Sequence, residues 1–101
     1  MSSIVRDVGL AFARLHILHH ADEEPIFGVG MMRELARHGY RLSPGTLYPL
    51  LHRMELDGLL KAEAQNVAGK VRKYYTITRR GRAALATLRP KLKELVDEVL
   101  P

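Results

Sequence analysis

The sequence predicts a mainly α-helical domain with one small β-hairpin, on three observations. Four segments repeat apolar residues at helical spacing, and two strand-like runs flank a polar turn that contains glycine. The chain has only 101 residues, the size of one domain. Residues 1–101 are therefore read as a single unit. It comprises an N-terminal helix at 4–20, a central segment at 26–77 and a C-terminal helix at 78–99.

In the first helix, about Ile4 to His20, the apolar residues Ile4, Val8, Ala11, Leu15 and Leu18 alternate four and three apart. That spacing marks one helical face. The stretch Ala21-Asp22-Glu23-Glu24-Pro25 ends it, because proline cannot continue a helix. A second helix is expected from Gly28 to His38, with Val29, Met32, Leu35 and Ala36 inward and Gly39 as the C-terminal stop. The link Gly39-Tyr40-Arg41-Leu42 is as short as a helix-turn-helix needs.

The third helix has the clearest start in the chain: Ser43 as N-cap, Pro44 at the first helical position and Thr46 in the first turn. Leu47, Leu50, Leu51 and Met54 form its inner stripe, and Gly58 stops it after Asp57. Two strands follow, Leu59–Ala64 and Val71–Ile77, around a turn in Gln65–Lys70. Alternation puts Val71, Lys73, Tyr75 and Ile77 on one face and Arg72, Tyr74 and Thr76 on the other. Thr78 is the expected N-cap of a last helix reaching Val99, with Leu85, Leu88, Leu92, Leu95 and Val99 along one stripe. Pro90 removes a backbone donor inside that helix, so a kink or break is expected near Ala86–Pro90. Helix, helix, helix, hairpin, helix is the order of a winged helix-turn-helix with an added C-terminal helix.

Composition narrows the function. Sixteen Lys and Arg face eleven Asp and Glu, for a net charge of +5, which favours a polyanionic partner. The chain has no Cys, so disulfides, thiolate metal sites and cysteine nucleophiles are excluded. That fits a reducing cytoplasm, the expected compartment. Arg6 and Asp7 interrupt the N-terminal segment Met1–Asp7 and no long apolar run follows. Neither a signal peptide nor a membrane span is expected. No G-x-S-x-G, Walker-type loop or H-E-x-x-H occurs, so no enzyme and no cofactor are expected.

Placement of the charges points to duplex DNA. With its leucine stripe inward, the third helix leaves Thr46, Tyr48, Pro49, His52 and Arg53 outside, and starts with Ser43, Pro44 and Gly45. Small residues and free N–H groups at that end suit a phosphate or a base edge. Taken alone, the same pattern is an ordinary solvated helix face. The hairpin tips the balance: Lys70, Arg72 and Lys73 cluster beside Gly69 on a projecting element that can follow the phosphates or enter the minor groove. One lysine there would be common edge-strand protection; three cations beside a docking helix are not.

The runs Phe27-Gly28, Leu42-Ser43-Pro44-Gly45-Thr46-Leu47-Tyr48-Pro49-Leu50-Leu51, Gly58-Leu59-Leu60 and Gly69-Lys70-Val71-Arg72-Lys73-Tyr74-Tyr75-Thr76-Ile77-Thr78, with Gly81, resemble the PadR family of transcriptional regulators. The resemblance spans about Leu15 to Leu85. It implies a winged helix, a recognition helix starting at Ser43 and a wing at Gly69–Lys73. By the same resemblance Ser43, Thr46, Tyr48, Lys70, Arg72 and Lys73 contact DNA, and the terminal helices make a homodimer. The chain departs from longer members in its short last helix, which puts effector binding in doubt. It also has no Trp, so the paired-tryptophan drug pocket of some relatives is excluded.

The dimer expectation has a physical basis too. Ile4, Val8, Ala11 and Leu15 on the first helix, and Leu85, Leu88, Leu92, Leu95 and Val99 on the last, form two seams that a small winged core cannot both cover. The reading is a homodimeric repressor at a palindromic operator. Its alternatives are a winged-helix protein-interaction module and a sensor gated by an unidentified small molecule. His16 and His20 share a helix face ahead of Asp22, Glu23 and Glu24, which is either the start of a divalent-metal site or a solvated helix end. Spacing places no third or fourth ligand, so no metal is assigned.

Overall fold

The computed structural model describes residues 3–101. Met1 and Ser2, the first two residues of the N-terminal segment, lie outside the described residues. Along the chain come α1 (Ser3–Glu23), β1 (Ile26–Phe27), α2 (Gly28–Arg37), α3 (Pro44–Leu56), β2 (Leu60–Val67), β3 (Lys70–Ile77) and α4 (Arg79–Val99). This is a winged helix-turn-helix with an added C-terminal helix, as the sequence predicts.

α1 runs three residues past the expected His20. Ala21 is buried, and the Glu24 N–H still bonds the His20 carbonyl at 3.1 Å; Pro25 then stops the helix. Its core side is Ala13, Ile17, Leu18 and Ala21. Of the predicted stripe only Leu18 turns inward. Ile4 and Val8 are exposed, and Ala11 and Leu15 are half-buried.

α2 and α3 end alike. The N–H groups of Gly39 and Tyr40 bond the carbonyls of Ala36 and Leu35, and those of Gly58 and Leu59 bond Glu55 and Met54, at 2.8–3.0 Å. Both are Schellman closures. They need a left-handed residue after the cap, met by Gly39 at φ 89° and Gly58 at φ 78°. The expected inner face of α2 needs correction. Gly28, Met31 and Leu35 are buried, while Val29 is 45% exposed. Ile26 is buried in β1 immediately before α2, and Gly28 packs on the Tyr48 ring. Those two anchors set the rotation and turn Val29 outward.

The sheet has three strands in the order β1-β3-β2. The two-residue strand β1 was not expected; it pairs Ile26 with Tyr75 and Phe27 with Tyr74. The hairpin turn is also tighter than the expected Gln65–Lys70. β2 and β3 pair from Leu60↔Ile77 to Val67↔Lys70, leaving only Ala68 and Gly69 at φ 52° and 80°. Two successive left-handed residues match the twist of the flanking strands.

α4 starts as predicted: the Thr78 hydroxyl accepts from the Gly81 N–H at 3.0 Å and donates to the Gly58 carbonyl at 2.6 Å. Pro90 does not break the helix, which is continuous over Arg79–Val99. Proline at one position removes a single hydrogen bond, and the turns on either side hold. Leu85 is a correction to the expected seam: at 3% exposure it belongs to the core with Ile17, Leu35, Leu47, Leu51 and Met54.

Gly81 sits where a methyl group would overlap the Leu59 carbonyl and the Ile77 side chain. Gly81→Ala should therefore destabilise the fold by about 1–3 kcal/mol, the usual cost of overpacking. Thr78→Val keeps the shape, loses both hydrogen bonds and should cost about 1–2 kcal/mol. Each should lower the midpoint of a denaturant melt; wild-type midpoints in both variants would contradict this junction.

Candidate nucleic-acid interface

α3 begins at Ser43, whose backbone is extended (φ −71°, ψ 159°) as an N-cap requires. Its side chain does not cap. The hydroxyl bonds Thr46 Oγ1 at 3.3 Å, while its carbonyl takes the N–H groups of Thr46 and Leu47 at 3.0 and 2.9 Å. Pro44 has no N–H. Gly45 is exposed, and a methyl group in its place would meet only the Ser43 hydroxyl, at 3.8 Å. The helix end is thus open to an approaching anion.

From there α3 presents two flanks around the buried Leu47, Leu51 and Met54. Tyr48 and Glu55, two turns apart, lie on the flank facing the wing. Tyr48 is 43% exposed and its ring rests on Gly28, where a methyl would collide with it. Pro49, His52, Arg53 and Leu56 point outward. The exposed Leu56 and the role of Gly28 were not anticipated.

Between α2, α3 and the wing lies a cleft of about 400 Å³. Tyr48, Arg72 and Lys73 line it, together with Gly28, Val29 and Arg33 from α2. The N-cap of α2, Phe27, offers no side-chain hydrogen bond to the first N–H groups of that helix. An uncapped helix N-terminus with cations beside it has the chemistry of a phosphate site. The guanidinium of Arg72 stacks over the Phe27 ring at 4.6 Å, and Phe27 meets Tyr74 at 5.6 Å. Arg72 is thus held in place by aromatic contact and not by a carboxylate.

The cations at this face divide into two groups. Lys73 pairs with Glu55 at 3.3 Å, Arg53 with Asp57 at 3.3 Å, and His52 approaches Glu55 at 3.9 Å. Lys73 also sits 5.4 Å from the Tyr75 ring centroid. Tyr75 first, and then Glu55, hold its ammonium above the ordinary lysine value. Arg33, Lys70 and Arg72 have no ion-pair partner among the described residues. Of the expected DNA contacts, Tyr48, Arg72 and Lys73 come together at the cleft. Ser43, Thr46 and Arg53 lie away from the cleft, and Lys70 sits beside the turn at the wing tip. Arg33 was missed; a lone arginine on an exposed helix face carries no signal until the fold brings it to the wing.

The second expected surface is the terminal-helix seam. Ile4, Val8, Leu95 and Val99 are exposed, while Ala11, Leu15, Leu88 and Leu92 are half-buried. Two apolar grooves run along it. One of about 330 Å³ holds Phe12, Leu15 and Leu92; the other, about 290 Å³, holds Ala11, Leu18 and Leu88. No helix of the described residues is long and apolar enough to cross a membrane.

Comparisons with known proteins match this fold. The family model described as "Transcriptional regulator PadR-like family" matches residues 17–87. The transcriptional regulator Rv3488 of Mycobacterium tuberculosis is 53% identical over 96 residues, covering 95% of this chain and 90% of that one. A PadR-like transcription factor from Bacteroides fragilis superposes with a TM-score of 0.81 at 29% identity, over 97% of this chain and 96% of the other. A PadR family regulator from Eggerthella lenta gives 0.76 at 35% identity, over 96% and 89%. The matched region holds α3, the wing and the cleft between them, and the chain belongs to the PadR-like family of transcriptional regulators.

Proposed function

We propose that this regulator is a homodimeric repressor that docks two α3 helices and two wings on a palindromic duplex operator. The observation that carries the reading is the cleft. An uncapped helix end, the Tyr48 hydroxyl and the unpaired Arg33 and Arg72 converge there, beside the outward face of α3. Such a cleft suits a backbone phosphate, leaving α3 to present Pro49, His52 and Arg53 to base edges. On this reading the regulator works in the cytoplasm.

The exposed seam supports the dimer. Leu95 is 48% exposed and Val99 63%, on the half of α4 beyond the core residue Leu85. Two copies packing seam to seam would cover both helices and give the two-fold symmetry of a palindrome. A protein-interaction module would show little affinity for random duplex DNA at low salt.

Selection from a random duplex pool should enrich a two-fold sequence with half-sites about 34–36 Å apart. Salt-sensitive binding without enrichment would sink the operator reading. Arg72→Ala should weaken binding and reduce the log–log salt slope by roughly one per subunit. Glu55→Gln removes an anion from the face and frees Lys73, so it should tighten binding. Equal affinity in both variants would count against this docking surface. Leu95→Glu alters a residue outside the core, so it should halve the mass seen by sedimentation without lowering helix content. A monomeric wild type would end the dimer reading.

A further inference from the structure

We propose that His16, His20, His38 and Glu34 form a binding site for a divalent cation of the zinc class. The site lies on the far side of α2 from its wing-facing N-terminus. The sequence offered two of these ligands. Folding supplies the other two, and sets aside Asp22, which pairs instead with Arg82 at 3.1 Å.

The four side chains come from two elements. His16 and His20 are one turn apart on α1. His38 is the C-cap of α2, in the Schellman turn at Gly39, and Glu34 lies one turn before it. One ring nitrogen from each of the three histidines lies within 4.8 Å of the others. Glu34 Oε1 is 3.5 Å from His20 Nε2 and 3.2 Å from His38 Nε2. Tetrahedral zinc with bonds of roughly 2.0–2.1 Å holds its ligand atoms about 3.3 Å apart. Glu34 Oε1 thus already has that spacing to both His20 and His38. His16 stacks on His38 with ring centroids 4.5 Å apart, which keeps one of its nitrogens within 4.8 Å of theirs.

The surroundings fit the ligand set. Arg37 bonds the other Glu34 oxygen, Oε2, at 3.0 Å, which orients the carboxylate with Oε1 towards the imidazoles. Such a partner holds a metal ligand in place. His16, His20 and Glu34 are half-buried, so the site is not a free surface tuft. Three imidazoles and one carboxylate select borderline transition metals over magnesium or calcium, which take oxygen ligands. A hydrogen-bonded pair explains one histidine beside Glu34; it leaves the stacking of a second and a third unaccounted for.

A competing set, His19, His20 and Glu23, lies on α1 alone. There His19 approaches Glu23 at 3.3 Å with both side chains more than half exposed. It shares His20, so the test must separate the two.

The full chain, tag-free and stripped with chelator, is titrated with zinc against a chromophoric competitor, and separately with cobalt. The expected result is one cation per chain, with the intense visible bands of four-coordinate cobalt. The melting temperature should rise as zinc saturates the folded state. His38→Gln and Glu34→Gln should each lower affinity by at least about tenfold, with unchanged far-UV circular dichroism. His19→Gln should leave it unchanged. The proposal is overturned by absence of saturable binding, by six-coordinate cobalt spectra, or by loss of affinity in His19→Gln with retention in His38→Gln.

Discussion

The Thr78 hydroxyl is the contact on which the functional geometry rests. It donates to the Gly58 carbonyl at the end of α3 and accepts from the Gly81 N–H at the start of α4. The Thr78 N–H bonds the Leu59 carbonyl at 3.1 Å, against which Gly81 packs too closely for any side chain. One residue therefore joins the end of α3, the root of the wing and the start of the last helix. The angle of the wing to α3 sets the cleft, and the angle of α4 to α3 sets where the seam points. Neither is adjustable without breaking these part-buried hydrogen bonds.

That junction explains what was legible beforehand. Ser43-Pro44, Gly39, Gly58 and Thr78 act through backbone chemistry a few residues away, so their signals survive in the sequence. The rotation of a helix about its axis does not. α1 is apolar on two sides, one against the core and one along the seam, so periodicity found a stripe without saying which side it served. Val29 and Leu85 were misplaced for the same reason: what lies inward depends on Gly28 meeting Tyr48 and on α4 crossing the core. β1 has two residues and exists only because β3 lies beside it. The tight turn depends on Ala68 adopting a left-handed conformation that alanine does not advertise.

The interface follows the same division. Cations on the wing were legible, since three together on a projecting hairpin are uncommon. Their partners were not. Glu55 is eighteen residues from Lys73 and meets it only after β3 folds beside α3. Arg33 and His38 are likewise ordinary until the fold brings them to the cleft and to the other histidines. Each is a tertiary fact, carried by no local pattern.

The pairing pattern also bears on how such a face discriminates. Among the described residues, Arg33, Lys70 and Arg72 carry charge with no carboxylate paired to it, so they suit phosphates, which are alike in every sequence. Arg53 on α3 and Lys73 on the wing are held by Asp57 and Glu55. On the proposed docking they must exchange a carboxylate for a phosphate or a base. That exchange lowers the gain from any non-specific duplex, and the carboxylates repel its backbone. Only a sequence whose base edges replace the lost ion pairs recovers the difference. On the proposed docking, attraction would be concentrated on Arg33, Lys70 and Arg72, while Arg53 and Lys73 are partly neutralised, an arrangement that would favour specificity over raw affinity.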